Sequence, residues 1–147
     1  MNRWLLLATL QSALVVGCQT VPRQPIPATP TVAVDLAGVR HSASEYPKGH
    51  VPWVQDLVHT VGPDYPFGER ALRHEGAGIF RLALDERSGR VVTVSVLRST
   101  GFKPLDLSAV VALSQWRWKP GRWKQIDMPV RFTIGSPPRE GTPLPHS

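Results

Sequence analysis

The stretch Trp116-Arg117-Trp118-Lys119-Pro120 decides the fold, because two tryptophans so close together in a small chain need a core to cover them. Before it, apolar residues recur at helical spacing and predict a helix from Pro104 to about Gln115, which Pro120 and Gly121 end. The apolar stripe of this helix consists of Leu105, Ala109, Ala112 or Leu113, and Trp116. A helix with one apolar stripe predicts a sheet beneath it.

A strand from Ile126 to Ile134 follows, and its residues alternate between two sets. The inward set is Ile126, Met128, Val130, Phe132 and Ile134, and the outward set is Asp127, Pro129, Arg131 and Thr133. Proline has no amide hydrogen to donate to a neighbouring strand. Pro129 therefore predicts that this last strand lies at a sheet edge.

Two more strands are predicted upstream, joined by the turn from Glu86 to Gly89, where glycine supplies the positive φ of a hairpin. The alternating residues are Phe80, Leu82 and Leu84 in one strand and Val92, Val94 and Val96 in the other. A short helix, opened by Tyr65-Pro66 and stopped by Gly76, comes first. The predicted fold class is α+β, a two-layer sandwich in which a short three-stranded antiparallel sheet is covered on one face by two helices, in the order helix, strand, strand, helix, strand.

The N-terminus has the pattern of a secretory signal peptide. A small basic start precedes a mostly apolar run from Trp4 to Val16, which is shorter than the roughly 20 residues of a membrane-spanning helix. The run ends in Val15-Val16-Gly17-Cys18, which resembles the bacterial lipobox, where a small residue precedes a cysteine that becomes lipidated. We therefore expect a lipoprotein signal peptide over residues 1–17 and a lipid anchor on Cys18. Gln19 after it favours the outer membrane over the inner membrane.

The rest of the chain divides by composition. Frequent prolines predict an extended tether over residues 18–45. Residues 46–62 form an accessory segment in which Pro52 can open a short helix, residues 63–134 the folded domain, and residues 135–147 a disordered tail. At 147 residues the chain has room for one domain of this size.

The chain is basic, with a formal charge of +6 and a pI near 10.2, which favours an anionic neighbour. Trp116, Trp118 and Trp123 interleave with basic residues as in a nucleic-acid platform, but tryptophans that cap the core explain the pattern better. The only cysteine is Cys18, the five histidines lack metal-ligand spacing, and no Gly-rich phosphate loop is present. We expect no nucleic-acid partner, no metal, no cofactor and no catalytic residue, so the chain is not expected to be an enzyme.

Seven short motifs resemble the TonB C-terminal domain family and occur in the family's order across about 70 residues. They are Tyr65-Pro66, Ala71-Leu72-Arg73-His74-Glu75-Gly76, Asp85 to Val91, Ser99-Thr100-Gly101, Leu105-Asp106, Trp116-Arg117-Trp118-Lys119-Pro120 and Pro129-Val130-Arg131-Phe132. The resemblance implies the fold already predicted from periodicity, and a role in periplasmic protein recognition. In transport systems the family's domain binds a short segment of an outer-membrane receptor.

In this family the receptor peptide pairs beside the last strand, which corresponds here to Asp127, Met128, Pro129, Val130, Arg131, Phe132 and Thr133. An exposed edge strand offers unpaired backbone groups to which an extended peptide can add. The resemblance therefore implies a partner in the envelope, either a TonB-dependent receptor or a Tol-like protein, facing the periplasm. An exposed edge also leaves dimerisation by strand exchange open.

Two alternatives remain. The family's energy transducers have an uncleaved membrane helix and a long Pro-rich spacer, so this chain could be a minimal energy transducer if its apolar N-terminal run is not cleaved. The second alternative is a binder of cell wall or lipid surfaces that uses a basic, Trp-rich face. Its basic residues would be Arg117, Lys119, Arg122 and Lys124.

Overall fold

The computed structural model describes residues 32–135, and five of its strands form one antiparallel sheet. The strands are β1 (Val32–Asp35), β2 (Arg40–Ser42), β3 (Leu57–His59), β4 (Gly76–Leu84), β5 (Val91–Arg98), β6 (Arg117–Trp118) and β7 (Trp123–Phe132), and the helices are α1 (Pro52–Gln55), α2 (Phe67–Ala71) and α3 (Lys103–Leu113), with a 3-10 helix at Ala43–Glu45. The strand order of the large sheet is β2-β1-β7-β4-β5, and β3 and β6 form a second, two-stranded sheet.

The predicted three-stranded sheet with two helices was wrong. The described residues contain a five-stranded sheet, a two-stranded sheet and three α-helices. The two additional strands of the large sheet are β1 and β2, from the segment that we assigned to the tether. β1 contains the β-branched residues Val32 and Val34, which favour a strand. Because β1 pairs with β7, the last strand is third of five, and its predicted place at the sheet edge was also wrong.

The core lies between the sheet and α3. Leu105, Ala109 and Leu113 of α3 are fully buried at the spacing of one helical face. Phe80 and Leu82 of β4 are equally buried beneath this helix. Burial of one large apolar side chain stabilises the folded state by about 1.5–3 kcal/mol. This layer therefore contributes strongly to the domain's stability.

The β1–β2 hairpin is closed by its own polar contacts. Oδ1 of Asp35 accepts a hydrogen bond from the amide of Val39 at 2.9 Å, and Gly38 adopts a φ of 86°, which reverses the chain. The His41 ring lies 3.0 Å from Oδ2 of Asp35. This hydrogen bond is the main reason why the pKa of Asp35 is lowered. Ala33 of β1 is fully buried, so the hairpin belongs to the core rather than lying beside it.

Aromatic side chains attach the segment between β2 and β3 to the sheet. The fully buried Trp53 of α1 lies edge-on to Trp123 of β7, with ring centroids 5.6 Å apart. The indole N–H of Trp118 donates to the carbonyl oxygen of Trp53 at 2.7 Å. Trp118 therefore seals the end of the core beside β3 and β6.

No helix between residues 32 and 135 combines the length and the apolar character that crossing a bilayer requires. The predicted signal peptide, the anchor on Cys18 and the first part of the predicted tether lie outside the described residues, and so does the predicted tail beyond Gly135.

Candidate functional site

β7 has different neighbours along its length. Its first half, Trp123–Asp127, pairs with β1, and the last of these pairs joins Asp127 and Val32. Its second half, Met128–Phe132, pairs with Gly76–Phe80 of β4 on one side. No strand in the described part of the chain lies on its other side. We call these two parts of β7 the covered half and the open half.

The direction of the backbone groups follows from the β4–β5 hairpin. Asp85 donates its amide hydrogen to the carbonyl of Arg90, on the β5 side, at 2.8 Å. Since successive residues of a strand point their backbone groups to alternate sides, Phe80 turns its backbone groups towards β7. Its partner Met128 faces β4 in return, so Pro129 directs its carbonyl to the open side. A proline at this position therefore removes no hydrogen bond from the β4–β7 ladder.

Two prolines oppose an extension of β1 upstream of Val32. Continuing the register in which Val32 pairs with Asp127 would bring Pro30 opposite Pro129. Neither residue has an amide hydrogen, so that pair would form no backbone hydrogen bond where an antiparallel pair usually forms two. The sequence thus opposes an extension of β1 along the open half.

The side chains of the open half hold it in place. Met128 and Phe132 are buried, and the Phe132 ring lies edge-on to Tyr65 with centroids 5.4 Å apart. Pro129 and Val130 are half-buried, whereas Arg131 is exposed. The buried side chains anchor a strand whose outer backbone side faces no other strand of the described chain. Such an edge can accept an extended peptide through main-chain hydrogen bonds.

Asp127, which we predicted as the first residue of the binding edge, belongs to the covered half. Asp127 is 5% exposed, and its carboxylate accepts two hydrogen bonds from Arg81, from Nε at 2.8 Å and from Nη2 at 2.9 Å. Arg40 of β2 approaches the same carboxylate at 3.9 Å. The hydrogen bond to Asp127 raises the pKa of Arg81. Asp127 therefore ties three strands together, and Thr133 lies exposed just beyond the end of β7.

The outer strand β5 is a poorer edge for pairing than the open half of β7. Its register with β4 shifts twice, which leaves Val92 and Leu97 as extra residues without a direct partner. Bulges of this kind twist an edge strand and oppose pairing with another chain. Between them only Thr93–Val96 is regular. The β4–β7 register, by contrast, runs without a shift, so the open half of β7 is the more regular edge.

The basic, Trp-rich segment does not form an aromatic platform. Trp118 and Trp123 are buried, and the indole N–H of Trp123 donates to the carboxylate of Asp56 at 2.9 Å. Lys119 and Arg122 form ion pairs with the same carboxylate at 3.5 and 3.3 Å. The side chains of this part of the segment therefore stabilise the core.

The sequence contained a signal for the hairpin that covers half of β7. Val32 and Val34 alternate with the small Ala33, and Gly38 follows Asp35 at the spacing of a reversing turn. The run is only four residues long and directly follows a Pro-rich segment, so we assigned it to the tether. The open half itself was within the predicted binding strand.

The family model described as Gram-negative bacterial TonB protein C-terminal matches residues 61–134, which is half of the chain. This match confirms the resemblance found in the sequence motifs. The comparison with curated proteins found no match. The matched region contains β4, β5, β7, α2 and α3, whereas the β1–β2 hairpin precedes it. The hairpin thus lies on the N-terminal side of the matched region and covers part of its last strand.

Proposed function

This chain belongs to the family of Gram-negative bacterial TonB C-terminal domains, and from that premise we propose that it binds an extended segment of another envelope protein along the open half of β7. The family is a non-enzymatic, transport-associated domain of the cell envelope, and its members interact with envelope proteins such as receptors. The observation that supports the proposal best is that the regular backbone edge at Met128–Phe132 faces no strand in the described part of the chain.

The size of the edge limits the partner segment. Five residues at about 3.4 Å each give an edge of roughly 17 Å. Each backbone hydrogen bond contributes about 1 kcal/mol net, so few bonds favour reversible binding. Pro129 provides a carbonyl but no amide hydrogen, which leaves one gap in the ladder. Arg131 is exposed and basic, so an acidic residue of the segment fits beside it.

The anchor determines where this binding takes place. Within the proposal, Cys18 carries the lipid, and residues 19–31 connect it to β1. At about 3.1 Å per residue, an extended tether of this length reaches roughly 40 Å. The domain then stays near the membrane that carries the lipid, with the outer membrane favoured, and the partner segment is one that comes close to that surface from the periplasm.

Site-specific cross-linking identifies the partner. A photoreactive amino acid replaces Thr133, which is exposed at the end of the open half, and a matched control places it at Lys124, which is exposed in the covered half. We expect an envelope protein to cross-link through position 133 in intact cells, and mass spectrometry to give its segment. Equal cross-linking of that segment from position 124 would contradict binding at the open half.

A single substitution then tests strand addition. Pro129→Val supplies an amide hydrogen on the open side, so a synthetic peptide of the cross-linked segment should bind about fivefold more tightly, as one added hydrogen bond predicts. Pro120→Val, in an exposed turn, is the matched control and should leave the affinity unchanged. An affinity that Pro129→Val does not increase argues against a backbone ladder at this edge.

Metabolic labelling with a fatty-acid analogue tests the anchor. The wild-type chain should be labelled and Cys18→Ser should not. An unlabelled, uncleaved wild-type chain in the inner membrane would instead support the minimal energy transducer.

A further inference from the structure

Three basic residues lie side by side at one end of the structure. His59 of β3 is directly opposite Arg117 of β6, and Arg117 is directly opposite Arg90 through an antiparallel bridge. Residues directly opposite each other in an antiparallel pair point to the same face, with Cβ atoms about 4.5–5.5 Å apart. The three side chains therefore form one row, which we call the basic row.

The basic row, in which His59 and Arg90 are exposed and Arg117 is half-buried, differs from the buried carboxylates, which are paired. Asp127 pairs with Arg81, and Asp56 pairs with Lys119 and Arg122. Within residues 32–135, no ion pair involves a residue of the basic row. Like charges directly opposite each other destabilise a sheet. Folding does not require these three residues to lie together, and an anionic ligand would offset the repulsion between the two arginines.

The basic row lines a cleft of about 450 Å3. Its other lining residues are Val91, Ser114, Gln115 and Trp116. Ser114 and Gln115 lie at the end of α3 and form another wall. The indole N–H of Trp116 donates to the carbonyl of Val61 at 2.7 Å, which fixes one wall. The Ser114 hydroxyl and the Gln115 side-chain amide donate to the carbonyl of Val111, so the donors that the cleft offers to an oxygen ligand come mainly from the basic row.

We propose that this cleft binds an acidic segment of a partner protein through carboxylates that contact the basic row. Two cross-strand steps make the row about 10 Å long, and side chains on alternate residues of an extended peptide are about 7 Å apart. Two such carboxylates therefore match the row, and arginine binds carboxylates through paired hydrogen bonds. A lipid surface fits less well, because Val91 and Trp116, the apolar lining residues, are half-buried and not available for insertion.

This second site is separate from the proposed edge of β7. The open half of β7 pairs with the beginning of β4, at Gly76–Phe80, whereas Arg90 follows the hairpin turn at the other end of β4. The two sites could contact two parts of one partner or two partners. Loss of one site leaves the other intact, so their tests are independent.

Titration of an isotope-labelled full chain, purified in a zwitterionic detergent, with a heptapeptide of alternating aspartate and glycine tests the cleft. We expect NMR shifts at the Trp116 indole and the Gln115 side-chain amide, and weaker binding by about tenfold or more in the Arg90→Gln/Arg117→Gln variant. Arg87→Gln removes a charge from the exposed neighbouring turn, outside the cleft, and should change the affinity less than threefold. The double variant should unfold at an equal or higher urea concentration, because repulsion has been removed.

Several outcomes would overturn the proposal. One is unchanged binding of the peptide by the double variant, and another is an equal loss in Arg87→Gln, which would indicate only a general charge effect. Equal binding of a heptapeptide with asparagine in place of aspartate would exclude carboxylate recognition. The resonances of Trp116 and Gln115 could instead shift with micelles containing phosphatidylglycerol or with inorganic phosphate, but not with the acidic peptide. That result would mean that the cleft binds phosphate groups and not carboxylates.

Discussion

The two halves of β7 belong to one strand and share β4 as a neighbour, yet they differ in what lies on the other side. The covered half pairs with β1 and contains Asp127, whose carboxylate is bonded to Arg81. The open half has buried side chains but faces no strand of the described chain on its outer side. A short hairpin thus divides one strand into a structural part and a part whose backbone can accept a partner.

This difference shows how a sheet edge can be restricted rather than removed. A fully exposed seven- to ten-residue edge favours unspecific pairing with other chains. Here β1 covers part of the edge, and the sequence opposes its extension over the rest, because a continued register would bring Pro30 opposite Pro129. The remaining edge is short enough to select a segment by length and register.

The largest expected contrast is in core packing. Ile126 of the covered half is fully buried, so Ile126→Ala should lower the free energy of unfolding by about 3 kcal/mol. Val130 of the open half is only half-buried, so Val130→Ala should lower it by about 1 kcal/mol. Urea unfolding measures both. Equal losses would mean that the open half is as deeply embedded as the covered half.

The ion pair of the covered half should contribute the next largest effect. Asp127→Asn removes the carboxylate that neutralises Arg81, and we expect a loss of about 2 kcal/mol, which is less than for a fully buried pair because the Arg81 side chain is 36% exposed. Lys124→Gln, at an exposed position of the same half, is the control and should change the stability by less than about 0.5 kcal/mol. If the free energy of unfolding falls by no more than in the control, the hydrogen bonds between Arg81 and Asp127 do not stabilise the covered half.

A double substitution should extend the covered half over the open one. Pro30→Val/Pro129→Val gives both residues an amide hydrogen, so β1 can continue along β7, with a gain of about 1 kcal/mol in stability. The partner peptide should then bind at least fivefold less tightly than to Pro129→Val alone, because the chain's own segment competes. Tighter binding by the double variant than by Pro129→Val would contradict the role assigned to the two prolines.

The smallest effect is the response of the hairpin to acid. The pKa of Asp35 is lowered, mainly by the hydrogen bond to His41, so its stabilising contribution is present above its ordinary pKa of about 3.8 and is lost as the pH falls through the lower value of the folded chain. The amide resonance of Val39, which donates to this carboxylate, should shift below about pH 4. Resonances of the open half should not shift with it, and Asp35→Asn should remove the transition.

Periodicity identified the elements that lie under and over the core. The alternation of Phe80, Leu82 and Leu84 and the helical spacing of Leu105, Ala109 and Leu113 each marked residues that the structure buries. These signals are readable because one face of each element meets the same core. The buried Asp127 was read as outward by the same alternation, since a sequence does not show that Arg81 lies opposite it.

The hairpin could not be predicted with the same ease, because four residues of β1 give too short a pattern to separate from the Pro-rich segment before them. Pro129 correctly indicated that β7 forms no hydrogen bond through an amide on one side at this position. The prediction of an edge wrongly extended this to the whole strand. The basic row was invisible in the sequence, since His59, Arg90 and Arg117 meet only through long-range pairing.

The central claim, that a partner strand adds beside the open half of β7, is tested most directly by NMR on the chain bound to the cross-linked segment. Met128 and Val130 direct their hydrogen-bonding groups to β4, so their Hα atoms should lie close to Hα atoms of an antiparallel partner on the other side. We predict Hα–Hα Overhauser contacts from Met128 and Val130 to the segment. Contacts from Thr93 or Ser95 of β5 instead, or none from β7, would contradict the account.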